Sequence, residues 1–421
     1  DLIAPKPASI KDVQSALLPG EALLSLLTTE DQTLVWAIPA SGPPSFSAAP
    51  LGRQQVEESV SKLRAALDPG SVDLDRLPRF DPAVAHQLYS ALLAPAAAGW
   101  QGAQHLFIAA NGALARLPFA VLLSEPVSDT TPQLGLPNSY YRNWPWLIRQ
   151  LSISQLPSSS SLLTLRRMAP GSAGRSAFAS FGDPDFRGDG KAAATAATRR
   201  FRSAPFATTR SAGEIDYGSI AALPDTRGEI LALAKALNAN QEQDVYLGKK
   251  ASRDAVLSAD LKQRRIVAFA THGLIAGEYP GVDQPALALA NPGGGKHGLL
   301  SLDDILTLKL DADWVVLSAC NTAAGDGRGG EAISGLGRGF FYSGSRSLLV
   351  THWPVETVSA QKLVVGVFSE LGAAPQLIRA EALRRSMLKV MSEDGGEGKF
   401  RFSYAHPLFW APYALIGDGG K

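Results

Sequence analysis

At 421 residues the chain exceeds one ordinary domain, so two compact units are the first expectation. Hydrophobic residues make up 45% and charged residues 19%, which suits a globular interior and excludes a disordered chain. Forty Lys and Arg against 39 Asp and Glu leave a net charge of +1, so neither nucleic acid nor an anionic membrane is an expected partner.

No apolar run reaches the roughly 20 residues that a membrane-spanning helix needs. The single cysteine, Cys320, allows no intrachain disulfide and no C-x-x-C pattern. The sequence opens on Asp1 rather than Met, from which we expect an upstream part to have been removed. A cytoplasmic location is expected, with an exported form left open.

The first half reads as an α/β unit. Ala22–Leu27 and Thr33–Ile38 are β-prone runs joined by a polar stretch, as in a hairpin. Val56–Leu67 and Val84–Leu93 carry helical spacing, and His105–Ala110 is a buried-strand pattern closed by Asn111-Gly112. Leu147–Leu156 alternates like a further strand. Residues 165–177 are small and polar, and the domain boundary falls there: 1–165 and 166–421.

Phe178–Phe181 restarts the strand-and-turn pattern. Residues 187–210 then hold Arg187, Lys191, Arg199, Arg200, Arg202 and Arg210 against Asp189, which reads as a solvated loop or, more sharply, a processing site. Beyond Asp225, helices at 229–237, 253–261, 332–342, 358–371 and 376–390 alternate with strands at 245–247, 266–270, 314–317 and 347–350. Strands apolar throughout and separated by helices indicate a mainly parallel sheet covered on both faces.

In such sheets catalytic groups gather beyond the C-terminal strand ends. Two runs end there on reactive residues: Ala268-Phe269-Ala270-Thr271-His272-Gly273 and Leu317-Ser318-Ala319-Cys320, with His272 and Cys320 48 residues apart. An isolated Cys is most often an inert hydrophobe, and a lone strand-end His a structural residue. Their joint placement favours catalysis, because a neighbouring imidazole lowers a thiol's pKa and takes its proton. The backbone N–H groups of Gly273 and Cys320 are the candidate oxyanion donors.

The segments THG at 271–273, SACNT at 318–322, GEAISGLGRGFFYSGSRSLLVTHWPVE at 330–356 and HPLFWAPYALIGD at 406–418 resemble the CHAT domain. So do LFIAANGALARLPFAVLL at 106–123 and LIRQLSISQLPSSSSLL at 147–163. CHAT proteins are caspase- and separase-related peptidases, found mainly in bacteria and often attached to tetratricopeptide repeats. The resemblance implies a caspase-like α/β fold, a mostly parallel sheet flanked by helices, with an N-terminal caspase-like pseudo-domain. It implies a Cys-His dyad carried on Cys320 and His272, with no cofactor. A protein substrate and control by an upstream repeat region or protein partner follow from it.

The segment after Val350 is expected to line the substrate pocket: His352, Trp353, Pro354 and Glu356, with Asp326 from the loop after the nucleophile. Separase-like relatives that cut after arginine use an acidic pocket residue, and many CHAT sequences have Asp between the Trp and the Val. Pro354 stands there instead, which points to an uncharged residue before the cleaved bond. Asp326, Asp313 or Glu356 remain alternative carboxylates. Gly293-Gly294-Gly295-Lys296 lacks phosphate-loop spacing, and no H-x-x-x-H pair or Cys cluster suggests a metal. His406 reads as part of a C-terminal aromatic strand, and the glycines of 325–330 as an activation element or a plain loop. Two other readings stand beside hydrolysis: a catalytically silent caspase-like scaffold, and acyl transfer on the same thiol-imidazole pair.

Overall fold

A strand that is apolar along its whole length must be covered on both faces, and such strands pair in parallel through helical crossovers. The computed structural model obeys this rule in two compact units. It describes residues 8–70, 77–128, 135–188, 220–277, 281–293, 298–318 and 335–420. Of these, 8–168 and 373–420 form one unit, and 169–318 and 335–372 the other.

The first unit begins with the expected hairpin, β1 (Glu21–Thr28) and β2 (Thr33–Pro39), closed where the Thr29 N–H donates to Gln32 O. β3 (Ser45–Ala49) extends it, a strand too short and too poor in branched residues to be visible in the sequence. β4 (His105–Ala110) and β5 (Ser152–Leu156) add in parallel. Helix Arg53–Leu67 buries Val56, Val60, Leu63, Ala66 and Leu67, the face its periodicity predicts. The helix expected at 84–93 is α-helical only over Pro82–Leu88, then widens to a π-turn at Tyr89–Leu93 and tightens to 3₁₀ at Ala94–Gly99. A side chain at Gly99 would strike Ala37 O on β2 at 2.4 Å, so this close approach requires glycine.

The strand expected over 147–156 is real only from Ser152; Leu147–Arg149 is a 3₁₀ turn. Arg384 explains the difference, since its guanidinium donates to Ile148 O at 2.8 Å and Arg149 O at 2.6 Å and takes carbonyls a ladder would need. At the far end of β4, the Asn111 carboxamide accepts the Thr28 N–H at 2.7 Å and donates to Thr28 O at 3.1 Å. The end of this strand is thus occupied by a structural clasp.

The second unit holds β6 (Ser176–Pro184), β7 (Val245–Gly248), β8 (Arg264–Ala270), β12 (Trp314–Leu317) and β13 (Ser347–Thr351), in the order β13-β12-β8-β6-β7, every pair parallel. Between them in sequence, β9 (His272–Leu274), β10 (Ala286–Ala288) and β11 (Leu299–Ser301) make a separate antiparallel sheet that three-residue strands leave unannounced in the sequence. Helices Asp225–Ala236 and Thr357–Ala373 appear within a few residues of expectation. A Cβ on Gly182 of β6 would lie 2.8 Å from Ile230, so glycine lets helix Asp225–Ala236 close on the sheet. Arg175, Arg265 and Arg346 converge on Asp313 at the start of β12.

A boundary at 165 would leave everything beyond it in one domain, yet 373–420 clusters with the first unit. β14 (Asp394–Gly395) and β15 (Phe402–Ser403) form a small ladder, and β16 (Tyr413–Gly417) pairs in parallel with β5, giving the order β3-β2-β1-β4-β5-β16. His406 is not in a strand. It caps the short helix Pro407–Trp410, its Nδ1 accepting the Leu408 N–H at 3.2 Å and its Nε2–H donating to Pro78 O at 3.1 Å. Among the described residues no helix is long and apolar enough to cross a membrane.

His105 is held neutral in the same way. Ser152 Oγ donates to Gln104 O and accepts from His105 Nδ1, so His105 Nε2 accepts from Ser154 Oγ at 2.8 Å. Burial lowers the pKa of His105 to about 3 and that of His406 to about 4. Both folded values lie below the unfolded value near 6.5, so the unfolded chain binds protons first. The stability they contribute is complete above pH 6.5 and lost as pH falls towards 4, at about 1.4 kcal/mol per unit from each. Urea midpoints should therefore be level from pH 8 to 7 and decline from pH 6, above the range in which ordinary carboxylates titrate. Equal midpoints at pH 7 and pH 5 would refute this account.

Candidate active site

β8 and β12 fix the frame. Their register pairs Ile266 with Trp314 and Phe269 with Leu317, and the Ser318 N–H extends the ladder to Phe269 O at 2.9 Å. Neighbouring strands run about 4.8 Å apart, so these two chains leave the sheet side by side. His272 follows Phe269 by three residues and Cys320 follows Leu317 by three. Cys320 itself lies outside the described residues, as do Asp326, the glycine loop 325–330 and most of the basic loop, 189–210.

The chain turns after β8, where Thr271 Oγ1 donates to Ala288 O, and His272 opens β9 opposite Ala288. The imidazole is wholly buried. Its Nε2 lies 2.7 Å from Ala221 O, and a carbonyl oxygen only accepts, so Nε2 carries the proton and Nδ1 the lone pair. Phe186 covers the ring with centroids 5.7 Å apart, in an apolar cluster with Ile220, Leu274, Val282 and Ala288. The basic nitrogen is thereby chosen, and the ring is held in dry surroundings. Gly273 is half-buried and stands opposite Leu287 of β10.

The segment after β13 divides by role. His352 and Trp353 are buried, with ring centroids 5.9 Å apart, and Pro354 is half-buried. The Glu356 carboxylate accepts the Ser359 N–H at 2.7 Å and Glu356 O accepts the Ala360 N–H, so this residue caps helix Thr357–Ala373. Asp313, another candidate carboxylate, precedes β12 at the strand's N-terminal end and is ion-paired with Arg175 and Arg265. The four residues of β12 separate it from the strand's C-terminal end by roughly 13 Å, so it cannot serve a pocket there. Among the described residues, no three His, Cys, Asp or Glu gather as a metal site would need.

Two contributors to the site carry no signal in the sequence. Ala221 acts through its backbone carbonyl, which any residue could supply. Phe186 is one phenylalanine among 16, and only the fold sets it over the imidazole.

The mainly parallel sheet flanked by helices is a caspase-like fold. A chain of the Saccharomyces cerevisiae separase–securin complex matches with a TM-score of 0.52 at 10% identity, covering 97% of this chain and 30% of that one. The Arg-specific cysteine proteinase gingipain R matches at a TM-score of 0.39 and 9% identity, over 87% of this chain and 74% of that one. No curated protein matches the sequence. Residues 82–418 match the CHAT domain, and the chain belongs to that family.

The capping role of Glu356 is open to direct measurement. Glu356→Ala should lower unfolding stability by about 1–2 kcal/mol in urea titrations, the usual cost of a lost N-cap. A variant of unchanged stability would show that the carboxylate does not serve the helix.

Proposed function

We propose that the chain is a cysteine endopeptidase in which Cys320 is the nucleophile and His272 its base. The observation that carries this reading is the shared offset: each residue follows a directly paired β8–β12 position by three. The Ala221 carbonyl supports it further, because it holds the proton on Nε2 and leaves Nδ1 as the nitrogen able to accept one. In the first step Nδ1 takes the Cys320 proton and the thiolate attacks the scissile carbonyl. The N–H groups of Gly273 and Cys320 stabilise the oxyanion. His272 then protonates the leaving amine, and water releases the acyl group as a free acid. A protein is the substrate, with control by an upstream region or a bound protein.

Cys320→Ala should abolish cleavage, and His272→Ala should reduce kcat/KM by at least about 100-fold, the usual span for a lost general base. Both variants should keep the parent's circular dichroism. Cleavage by Cys320→Ala at the parental rate would end the assignment. Product masses showing only hydrolysed termini would separate hydrolysis from acyl transfer.

An uncharged residue before the cleaved bond is supported by Pro354, which bears no charge, by the Glu356 carboxylate accepting a helix N–H and by Asp313 lying at the other strand end. A peptide library should accordingly be cut after uncharged residues. Cleavage predominantly after Arg would overturn that preference while leaving the dyad untouched.

A further inference from the structure

In the first unit a cleft of about 1050 Å³ opens beside the starts of β4 and β5 and the first turn of helix Arg379–Ser392. That volume is at the top of the range for small-ligand sites. Gln101, Gln104, Gln150 and Gln376 all line it, and none of their carboxamides hydrogen-bonds to another described residue. Its lining carries two acids, Glu125 and Glu381, against two bases, Arg384 and Arg385, and Glu381 pairs with both arginines at 3.1 Å. Tyr89 and Trp100 also line it, edge to face at 6.5 Å, with the indole N–H spent on Leu93 O.

These features select a ligand chemistry. A carboxamide offers the same acceptor and donor as a peptide bond, so it pairs with main chain whatever the side chain. With two acids and two bases in the lining, the cleft favours neither sign of charge, and a wholly apolar ligand would bury four amides without partners. We propose that the cleft binds an extended, uncharged stretch of polypeptide and acts as an exosite that holds protein substrates. The exosite role rests on the peptidase reading; the binding does not.

The test separates the two. With the full-length Cys320→Ala protein, fluorescence anisotropy would follow binding of fluorescein-labelled, reduced and carboxamidomethylated α-lactalbumin, a permanently unfolded chain. Gln150→Leu combined with Gln376→Leu should raise Kd about tenfold, as expected for two lost hydrogen bonds. If that pair, exposed as it is, shifts thermal unfolding, the likewise exposed Gln101→Leu replaces it, with about a threefold effect expected. In the active protein the paired change should raise KM for the unfolded chain to a similar extent and leave kcat/KM for a fluorogenic tripeptide unaltered.

Parental binding that is absent, unaffected by either variant or displaced by maltoheptaose would overturn the proposal, the last outcome marking the cleft as a glycan site. Glutamine-dependent binding by a protein that hydrolyses nothing would uphold the cleft and count against the peptidase reading alone.

Discussion

Parallel pairing of β8 with β12 is the constraint on which the site depends. A parallel ladder brings both strands out of the sheet at the same edge, and their apolar residues leave little freedom of register, since a one-residue slip would turn every buried side chain to the other face. Ile266, Val267, Ala268 and Phe269 against Trp314, Val315, Val316 and Leu317 therefore do more than fill a core. They fix the level from which the chain departs towards His272 on one strand and Cys320 on the next. The separate sheet of β9, β10 and β11 then holds the imidazole after the chain has turned.

Three buried histidines show how one side chain acquires different chemistry. In His406 the Nε2 proton binds a carbonyl and Nδ1 is spent on a backbone N–H, so the ring is a cap. In His105 both nitrogens meet serine hydroxyls, and the ring is a neutral spacer between strands. His272 has the same carbonyl anchor on Nε2 as His406, and the proposed chemistry gives its Nδ1 to the thiol. Asn111, at the end of β4, has a purely structural role, clasping Thr28.

Much of the fold was legible because burial leaves periodic traces. The hairpin of β1 and β2, the strand His105–Ala110, the strand Trp314–Leu317 and the long helices all emerge from apolar spacing. The failures share a cause, which is that distant residues decide them. Nothing in Leu147–Leu151 reports that Arg384, more than 200 residues later, takes two of its carbonyls. Nor does the C-terminal segment announce that β16 will pair with β5. The strands of the small sheet are three residues each, too few for any period to register.

For the site, sequence alone determined which residues carry reactive groups and that they follow apolar strands, because covalent identity and local hydrophobicity are properties of the chain itself. The family to which the chain belongs could be read from the same segments. Tertiary structure decided the protonated nitrogen of His272, through a carbonyl 51 residues away in sequence, and its dry cover by Phe186. It also decided that Glu356 caps a helix and that Asp313 stands at the wrong end of its strand. Those roles depend on direction and distance in space, which a linear order of residue types does not contain.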